Sequence, residues 1–187
     1  MLRRISLLIS MVGIVAATSA ASAAERFDSA YTKLKLDDCM MTSVPSQEGT
    51  DGGSWLCEGY RKIPVSVSEG DLRMFVSFGD NAANEMAASQ TLSGFNSVNE
   101  TLEWRLVESG GRQPFATILR WFVQTGEGGT DQVLIVTRLG LGATCQVARI
   151  NATRTPDANA RAREIADTRA RAFQCGVDDL IRVNMTE

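Results

Sequence analysis

The amino-acid sequence predicts an α+β domain in which a long C-terminal helix packs on an antiparallel β-sheet meander of five to seven strands, stapled by disulfides. Three observations indicate this class. Short apolar segments, several of them alternating with polar residues, are separated by Gly-rich turns, as in antiparallel sheets. A segment near the C-terminus instead has its apolar residues at helical spacing. The four cysteines are an even number and can form two cross-links.

The N-terminus has the organisation of a secretory signal peptide. Two arginines precede an apolar run over residues 5–17, and small residues follow, so that cleavage fits after Ala23 or Ala24. The apolar run is too short for a membrane-spanning helix, which needs about 20 residues. We therefore predict a signal peptide over residues 1–24, a single domain over residues 25–187, and a periplasmic or secreted location.

Composition limits the classes of partner. The chain has 19 basic and 22 acidic residues, and two of the basic ones lie in the predicted signal, which leaves a net charge of −5. A generic nucleic-acid-binding protein needs a basic surface, so we expect no nucleic-acid partner. No later stretch approaches 18 apolar residues, so we expect no membrane span after signal cleavage.

All four cysteines lie in the predicted mature chain, and three pairings are possible. We favour the two shortest loops, Cys39–Cys57 and Cys145–Cys175, each of which would add roughly 3 kcal/mol of stability in the chain-entropy model. A zinc site is the alternative. The cysteines lack the close spacing of zinc ligands and the chain has no His, so we expect no metal and no cofactor.

Strands are predicted in two blocks. The first block contains residues 55–60, 63–67 and 72–78, with a hairpin turn at 68–71. The second block is a four-stranded meander over residues 102–106, 115–123, 133–137 and 144–150. Residues 115–123 are apolar at both alternating positions apart from Thr117 and Arg120, which predicts a central strand covered on both faces. Between the blocks, residues 80–88 are predicted to form a short helix with Asp80 as its N-cap.

The long C-terminal helix is predicted over residues 155–175. Thr155 fits the N-cap, Pro156 the first helical position and Gly176 the left-handed residue after the helix. The predicted apolar face contains Ala158, Ala162, Ile165, Ala166, Ala172 and Phe173. The predicted outer face contains Arg163, Glu164, Asp167 and Arg171, with ion pairs Arg163–Asp167 and Asp167–Arg171.

Catalysis is not the favoured interpretation. The chain has no His, so Ser-His-Asp and Cys-His arrangements are impossible, and disulfide-bonded cysteines are not nucleophiles. Carboxylates remain available at residues 37–38, at Glu69 and Asp71, and at Glu100 and Glu103. No catalytic residue is assigned.

Arginines within regular elements are the most distinctive feature. Arg169 lies in the apolar arc of the predicted helix, where its charge needs a partner or must reach solvent. Arg105, Arg120, Arg138 and Arg149 each interrupt a predicted strand. Several of them on one face could bind a carboxylate or phosphate; otherwise they are solvent-side positions. The candidate anion contacts are Arg169, Arg105, Arg120 and Arg138.

Six blocks carry a resemblance to a known group. They are WLCEGY, IPVSVSEGDLRMFVSFG, QTLSGFN, LEWRL, PFATILRW and PDANARAREIAD. Together they resemble small uncharacterised exported proteins of alphaproteobacteria. Those proteins have no assigned activity, so the resemblance implies an envelope location alone. A His follows the third cysteine in that pattern, whereas this chain has Gln146, which weakens a catalytic interpretation of that strand.

The favoured function is a periplasmic or exported, non-enzymatic binding module. Its partner would be an envelope protein or a small anionic ligand, bound on a sheet face or at the polar, Gly-rich loop 46–54. One alternative is an inhibitor of a secreted or cell-wall hydrolase, since a disulfide would hold that loop preorganised. The other alternative is a carboxylate-dependent enzyme.

Overall fold

The computed structural model describes residues 25–44, 51–109, 111–126 and 128–185. The predicted signal peptide and the first part of the predicted loop 46–54 lie outside these residues. The strands are β1 (Phe27–Lys33), β2 (Met40–Ser43), β3 (Asp51–Glu58), β4 (Pro64–Gly70), β5 (Arg73–Phe78), β6 (Asn96–Val107), β7 (Gln113–Gln124), β8 (Thr130–Arg138), β9 (Cys145–Asn151) and β10 (Ile181–Val183). The helix α1 (Ala158–Ile165) stands between β9 and β10.

The strands form two sheets, whereas one antiparallel sheet was predicted; the larger sheet falls within the predicted five to seven strands, but it is mixed. One sheet has six strands in the order β1-β6-β7-β8-β9-β10, and the other has four in the order β2-β3-β4-β5. The predicted meander is confirmed as β6 to β9, all antiparallel. The predicted first block is confirmed as β3, β4 and β5, but it belongs to the separate sheet. The last strand, β10, pairs parallel with β9.

The predicted hairpin between β4 and β5 is confirmed, but its turn lies later than the predicted residues 68–71, because residues 68–70 belong to β4. Gly70 pairs with Arg73, so that Asp71 and Leu72 are the two turn residues. Both have positive φ, 52° and 58°, which is the backbone geometry that matches a tight hairpin to the twist of its strands.

The segment between the two sheets corrects the predicted helix 80–88. It contains two short 3-10 helices, Ala82–Asn84 and Met86–Ser89, with extended backbone at Glu85 between them. Asp80 is not the cap of either helix. The buried Glu85 carboxylate accepts hydrogen bonds from the backbone N–H groups of Gly142 and Thr144, at 2.6 and 3.0 Å. This contact with the β8–β9 turn overrides the local helical pattern.

The first hydrophobic core lies between the two sheets. It contains apolar side chains of β3, β4 and β5 together with those of β6, β7 and β8. At its centre the Trp104 ring is fully buried and meets Phe78 edge-on, with ring centroids 5.8 Å apart. The indole N–H of Trp104 donates to Thr32 Oγ1 at 2.8 Å, so its polar group is satisfied.

The second hydrophobic core lies on the opposite face of the six-stranded sheet. It joins Ala116, Ile118 and Leu134 of the sheet with apolar residues of the helix. Because Leu119 and Trp121 of β7 belong to the first core, the same strand contributes to both. The prediction that residues 115–123 form a central strand covered on both faces is therefore confirmed.

The C-terminal helix is shorter than predicted. It begins at Ala158, after a left-handed Asp157, and not with Thr155 as its cap. After Ile165 the helix continues only as a π-helical turn, Ala166–Ala170. Gly176 has a positive φ of +77°, but it does not directly follow the helix as predicted, because the π-helical turn ends at Ala170.

The π-helical turn also changes which side chains face the sheet. A π turn accommodates one extra residue, so every later position is shifted relative to the 100° wheel. Ala170 and Phe173 are buried, whereas Ala172, predicted to be buried, is exposed. Arg169, predicted within the apolar arc, is exposed for the same reason.

Both predicted disulfides are present. The Cys39–Cys57 bond connects the residue before β2 to the end of β3, across the open end of the β2–β3 hairpin. The Cys145–Cys175 bond connects the start of β9 to the segment that follows the helix. No described helix is long and apolar enough to cross a membrane.

Candidate functional site

Three of the strand arginines share the helix-side face of the six-stranded sheet. Arg105 and Arg138 are both register partners of Ala116, and Arg120 is the partner of Leu134. Ala116 and Leu134 belong to the helix-side core, so cross-strand pairing puts all three arginines on that face. Each of them has a different environment there.

Arg105 is used to join the sheet to the helix. Its Nε and one terminal nitrogen donate to the two carboxylate oxygens of Asp167 at 2.9 and 2.7 Å. Its other terminal nitrogen donates to Ser29 Oγ. Since Arg105 is buried and its guanidinium is already held by a carboxylate, it has no role left as an exposed anion contact.

Glu103 and Arg163 form a second ion pair beside it. Arg163 donates from Nε and a terminal nitrogen to the two Glu103 oxygens at 2.7 and 3.1 Å. Ser29 Oγ also donates to Glu103, at 2.6 Å, and Tyr31 Oη accepts from Arg163 at 3.2 Å. The hydrogen bond to Glu103 raises the pKa of Arg163.

These contacts overturn the predicted ion pairs along the helix. Asp167 pairs with Arg105, Arg163 pairs with Glu103, and Arg171 pairs with Glu25. The polar side of this helical segment lies over the β1–β6 edge of the sheet. These three side chains therefore pair with groups of the N-terminal region or the sheet, and not with one another.

Arg138 closes the C-terminal end of the helix. Its guanidinium donates to the backbone carbonyl of Ala143 at 3.1 Å and to those of Arg171 and Phe173 at 2.6 and 2.7 Å. The last carbonyls of a helix have no partner within the helix and carry partial negative charge. Arg138 is thus a structural capping group.

Arg120 is the remaining arginine on this face, and it lies in a cleft of about 210 Å³ between the start of α1 and the sheet. The lining residues are Tyr31, Asn99, Thr101, Glu103, Ile118, Arg120, Leu134, Asn159 and Arg163. Arg120 donates to Gln132 Oε1 at 2.8 Å and to Asn159 Oδ1 at 3.0 Å. Within the described ranges it takes part in no ion pair.

The electrostatics of this cleft favour a negative ligand. Its lining carries two guanidinium groups, Arg120 and Arg163, and one carboxylate, Glu103. Arg163 and Glu103 neutralise each other, so the positive charge of Arg120 is left with two neutral amide partners. Those amides hold the guanidinium in place while leaving other N–H groups available to a ligand.

A second cavity, of about 280 Å³, lies at the β8–β9 turn. Its lining is mostly apolar and includes Phe78, Pro114, Leu139 and Leu141. In the Gly140-Leu141-Gly142 turn beside it, the Gly142 N–H donates to the Glu85 carboxylate and the Gly140 N–H donates to Thr144 Oγ1. The turn connects the antiparallel strands β8 and β9.

Sequence reasoning found Arg120 but missed its partners. Gln132 lies diagonally across from Arg120 on β8, which the hairpin register between β7 and β8 could have indicated. Asn159 stands at the first turn of the helix, and no local pattern indicates that this turn lies over β7. Among the described residues no group of three or more metal-ligating side chains is present.

Comparison with protein-family models, with curated proteins and with solved structures finds no match to this chain. Function is therefore argued from the geometry of the site alone.

Proposed function

We propose that this chain is a binding module that holds a small anionic ligand in the cleft between α1 and the six-stranded sheet. The observation that carries the proposal is the environment of the Arg120 guanidinium. This group is fixed by two amides, lines a cleft, and has no carboxylate partner among the described residues. Bidentate contact with a carboxylate is the interaction that a guanidinium in this state favours.

The hydrogen bonds of the cleft favour binding over acid–base catalysis. Glu103 is the carboxylate of the lining, and both of its oxygens accept hydrogen bonds from Arg163. A general base must be within reach of a substrate proton and able to accept it. Glu103 is instead occupied as a structural partner, which argues against the carboxylate-dependent enzyme.

The size and polarity of the cleft limit the ligand class. Its volume of about 210 Å³ is below the range of about 300–1,000 Å³ that is typical of drug-sized ligands. Asn99, Thr101 and Tyr31 add amide and hydroxyl groups to its wall. A small hydroxy acid, with its carboxylate on Arg120 and its hydroxyl groups on these side chains, fits this chemistry.

The proposed site of action is outside the cytoplasm. Two disulfides are typical of proteins that fold in an oxidising compartment. The predicted signal peptide supports the same location.

A titration of the purified domain with lactate and glycerate, followed by amide chemical shifts, tests this proposal. We expect saturable shifts at β7 and at the first turn of α1, and none with the uncharged amides of the same acids. Arg120→Gln should weaken binding by about tenfold or more, because a charge-assisted contact is lost. The matched control is Arg161→Gln, since Arg161 pairs with Glu164 on the exposed side of the helix.

Two results would refute the proposed ligand class. One is the absence of saturable shifts at the cleft with any small carboxylate of the panel. The other is equal affinity of the Arg120→Gln variant and the wild-type chain.

A second candidate function is contact with a protein partner through β2. This strand is an edge of the four-stranded sheet, and it exposes 61% of Met40 beside 37% of Leu56, with Val44 74% exposed just beyond it. An exposed edge with apolar side chains can pair with an extended segment of another protein. Inhibition assays on cell-wall hydrolases test it: wild-type chain should inhibit and Met40→Lys should not, whereas no inhibition by either would reject it.

A further inference from the structure

Two arginines lie side by side at the far edge of the six-stranded sheet. Arg149 of β9 and Arg182 of β10 are direct partners in the parallel register. Adjacent strands are about 4.8 Å apart, so two like charges are held close together by the backbone. Within the part of the chain that the structure describes, neither arginine belongs to any ion pair.

The pair is separate from the cleft at Arg120. Arg149 is the register partner of Ile135, which belongs to the core between the two sheets. The neighbours of Arg149 and Arg182 along their strands, such as Ile150 and Val183, pack instead in the helix-side cluster. Because side chains alternate along a strand, the two arginines lie on the face opposite the helix.

The Arg149 guanidinium is held in a fixed orientation by one buried amide, that of Gln146. Its Nε donates to Gln146 Oε1 at 2.8 Å, and Gln146 is 3% exposed. Gln146 in turn donates from its side-chain nitrogen to the Gln90 carbonyl at 3.1 Å and from its backbone N–H to Gln90 Oε1 at 2.7 Å. The oxygen of the Gln146 amide is thereby directed at Arg149, and the terminal nitrogens of Arg149 are left for another partner.

The electrostatic environment of Arg149 is unfavourable without an anion. Burial lowers the pKa of Arg149, and the charge of Arg182 lowers it further. In the described part of the chain, the one hydrogen bond of Arg182 is a long contact, 3.4 Å, with the Leu180 carbonyl. Two charges of the same sign that are held close together raise the free energy of the folded state, and an anion bound between them lowers it again.

We infer that Arg149 and Arg182 form a second anion site, which binds a phosphate group between the two guanidinium forks. Phosphate carries up to two negative charges, and its several oxygens can accept from both arginines at once. Arg149, oriented by Gln146, provides the fixed half of the site. Arg182 is exposed on the edge strand and provides the adaptable half. The phosphate group belongs either to a small phosphate compound or to a lipid headgroup.

Thermal unfolding of the folded, disulfide-bonded domain in inorganic phosphate tests this site. Phosphate should raise the melting temperature of the wild-type chain, relative to sodium chloride at matched ionic strength, because a ligand of the native state stabilises it. Arg149→Gln and Arg182→Gln should each weaken phosphate binding by about tenfold or more. Arg161→Gln is the matched control and should keep the full response, since Arg161 pairs with Glu164 on the exposed side of the helix and belongs to neither site.

The same variants separate the outcomes. Arg182→Gln removes an exposed side chain and is expected to fold even where Arg149→Gln does not, so that the site remains testable. Glycerol 3-phosphate and vesicles that contain phosphatidylglycerol then distinguish a small phosphate compound from a lipid headgroup. Equal phosphate responses of the wild-type and Arg182→Gln chains, or no response beyond that of sodium chloride, would overturn the inference.

Discussion

Replacing Arg105 with Met is expected to lower the free energy of unfolding by about 3 kcal/mol. The side chains of Arg105 and Asp167 are 7% and 19% exposed, and they share two hydrogen bonds. Loss of one partner of a buried ion pair costs about 3–5 kcal/mol, because the other charge is left without compensation. Since Asp167 keeps some contact with water, and Glu103 keeps its own partner Arg163, the lower end of that range applies.

Urea denaturation followed by tryptophan fluorescence measures this loss. Trp104 and Trp121 are both buried and report on unfolding of the core between the sheets. The denaturation midpoint should fall while its slope stays constant, since the surface exposed on unfolding hardly changes. Arg161→Met is the matched control, because its ion pair is exposed and contributes less than about 0.5 kcal/mol.

The double variant Arg105→Met with Asp167→Leu isolates the cause. An apolar pair of similar volume leaves no uncompensated charge, so the double variant should regain much of the stability that Arg105→Met loses. The reasoning fails if Arg105→Met stays within about 1 kcal/mol of the wild-type chain. It fails equally if the double variant is less stable than Arg105→Met.

Three further changes follow from the same structure. Replacing Cys145 and Cys175 with Ala should cost roughly 3–4 kcal/mol in urea denaturation, because the bond closes a separation of 30 residues in the unfolded chain; a cost below about 1 kcal/mol would contradict this. Arg138→Met should cost about 2 kcal/mol and increase amide exchange at the end of the helix, and unchanged exchange there would argue against its capping role. Asp28 has its pKa lowered by the Ser29 N–H and by Arg112, so its stabilising effect is present above about pH 4 and is lost as the pH falls through its folded-state pKa. Asp28→Asn should therefore unfold more easily than wild type at pH 7, and this difference should shrink as the pH falls below about 4; a difference that does not change with pH would refute the assignment.

Local patterns in the sequence predicted the parts of the fold that depend on neighbouring residues. The polar segment 68–71 indicated the β4–β5 hairpin, and the mostly apolar run over residues 115–123, interrupted by Thr117 and Arg120, indicated the central strand. The disulfide pairs followed from loop length. The hairpin and the strand depend on a few neighbouring residues, and the disulfide pairing depends on the entropy of loop closure. The structure confirms all three features.

The parts that were missed depend on residues far apart in the chain. The π-helical turn inserts one position into the helix, and that single shift exposes Arg169 and buries Ala170. The partner of Arg105 is 62 residues away, so its burial could not be deduced from the β6 pattern. β10 has three residues, too few for an alternating pattern. Because this strand was not predicted, Arg182 could not be identified from the sequence as the neighbour of Arg149.

The arginines of this sheet fall into two groups that the structure separates physically. Arg105 and Arg138 bind a carboxylate and backbone carbonyls of the chain itself, so their positive charge is compensated inside the fold. Among the described residues, Arg120 has only neutral amides as partners, and Arg149 has an amide and a second arginine. Substitution of the first group must therefore reduce stability whether or not a ligand is present. Substitution of the second group removes a charge that the fold does not use, so its main effect must appear when an anion is added. A chain in which Arg120→Gln was as destabilising as Arg105→Met would show that this division is wrong, and with it the basis for both proposed sites.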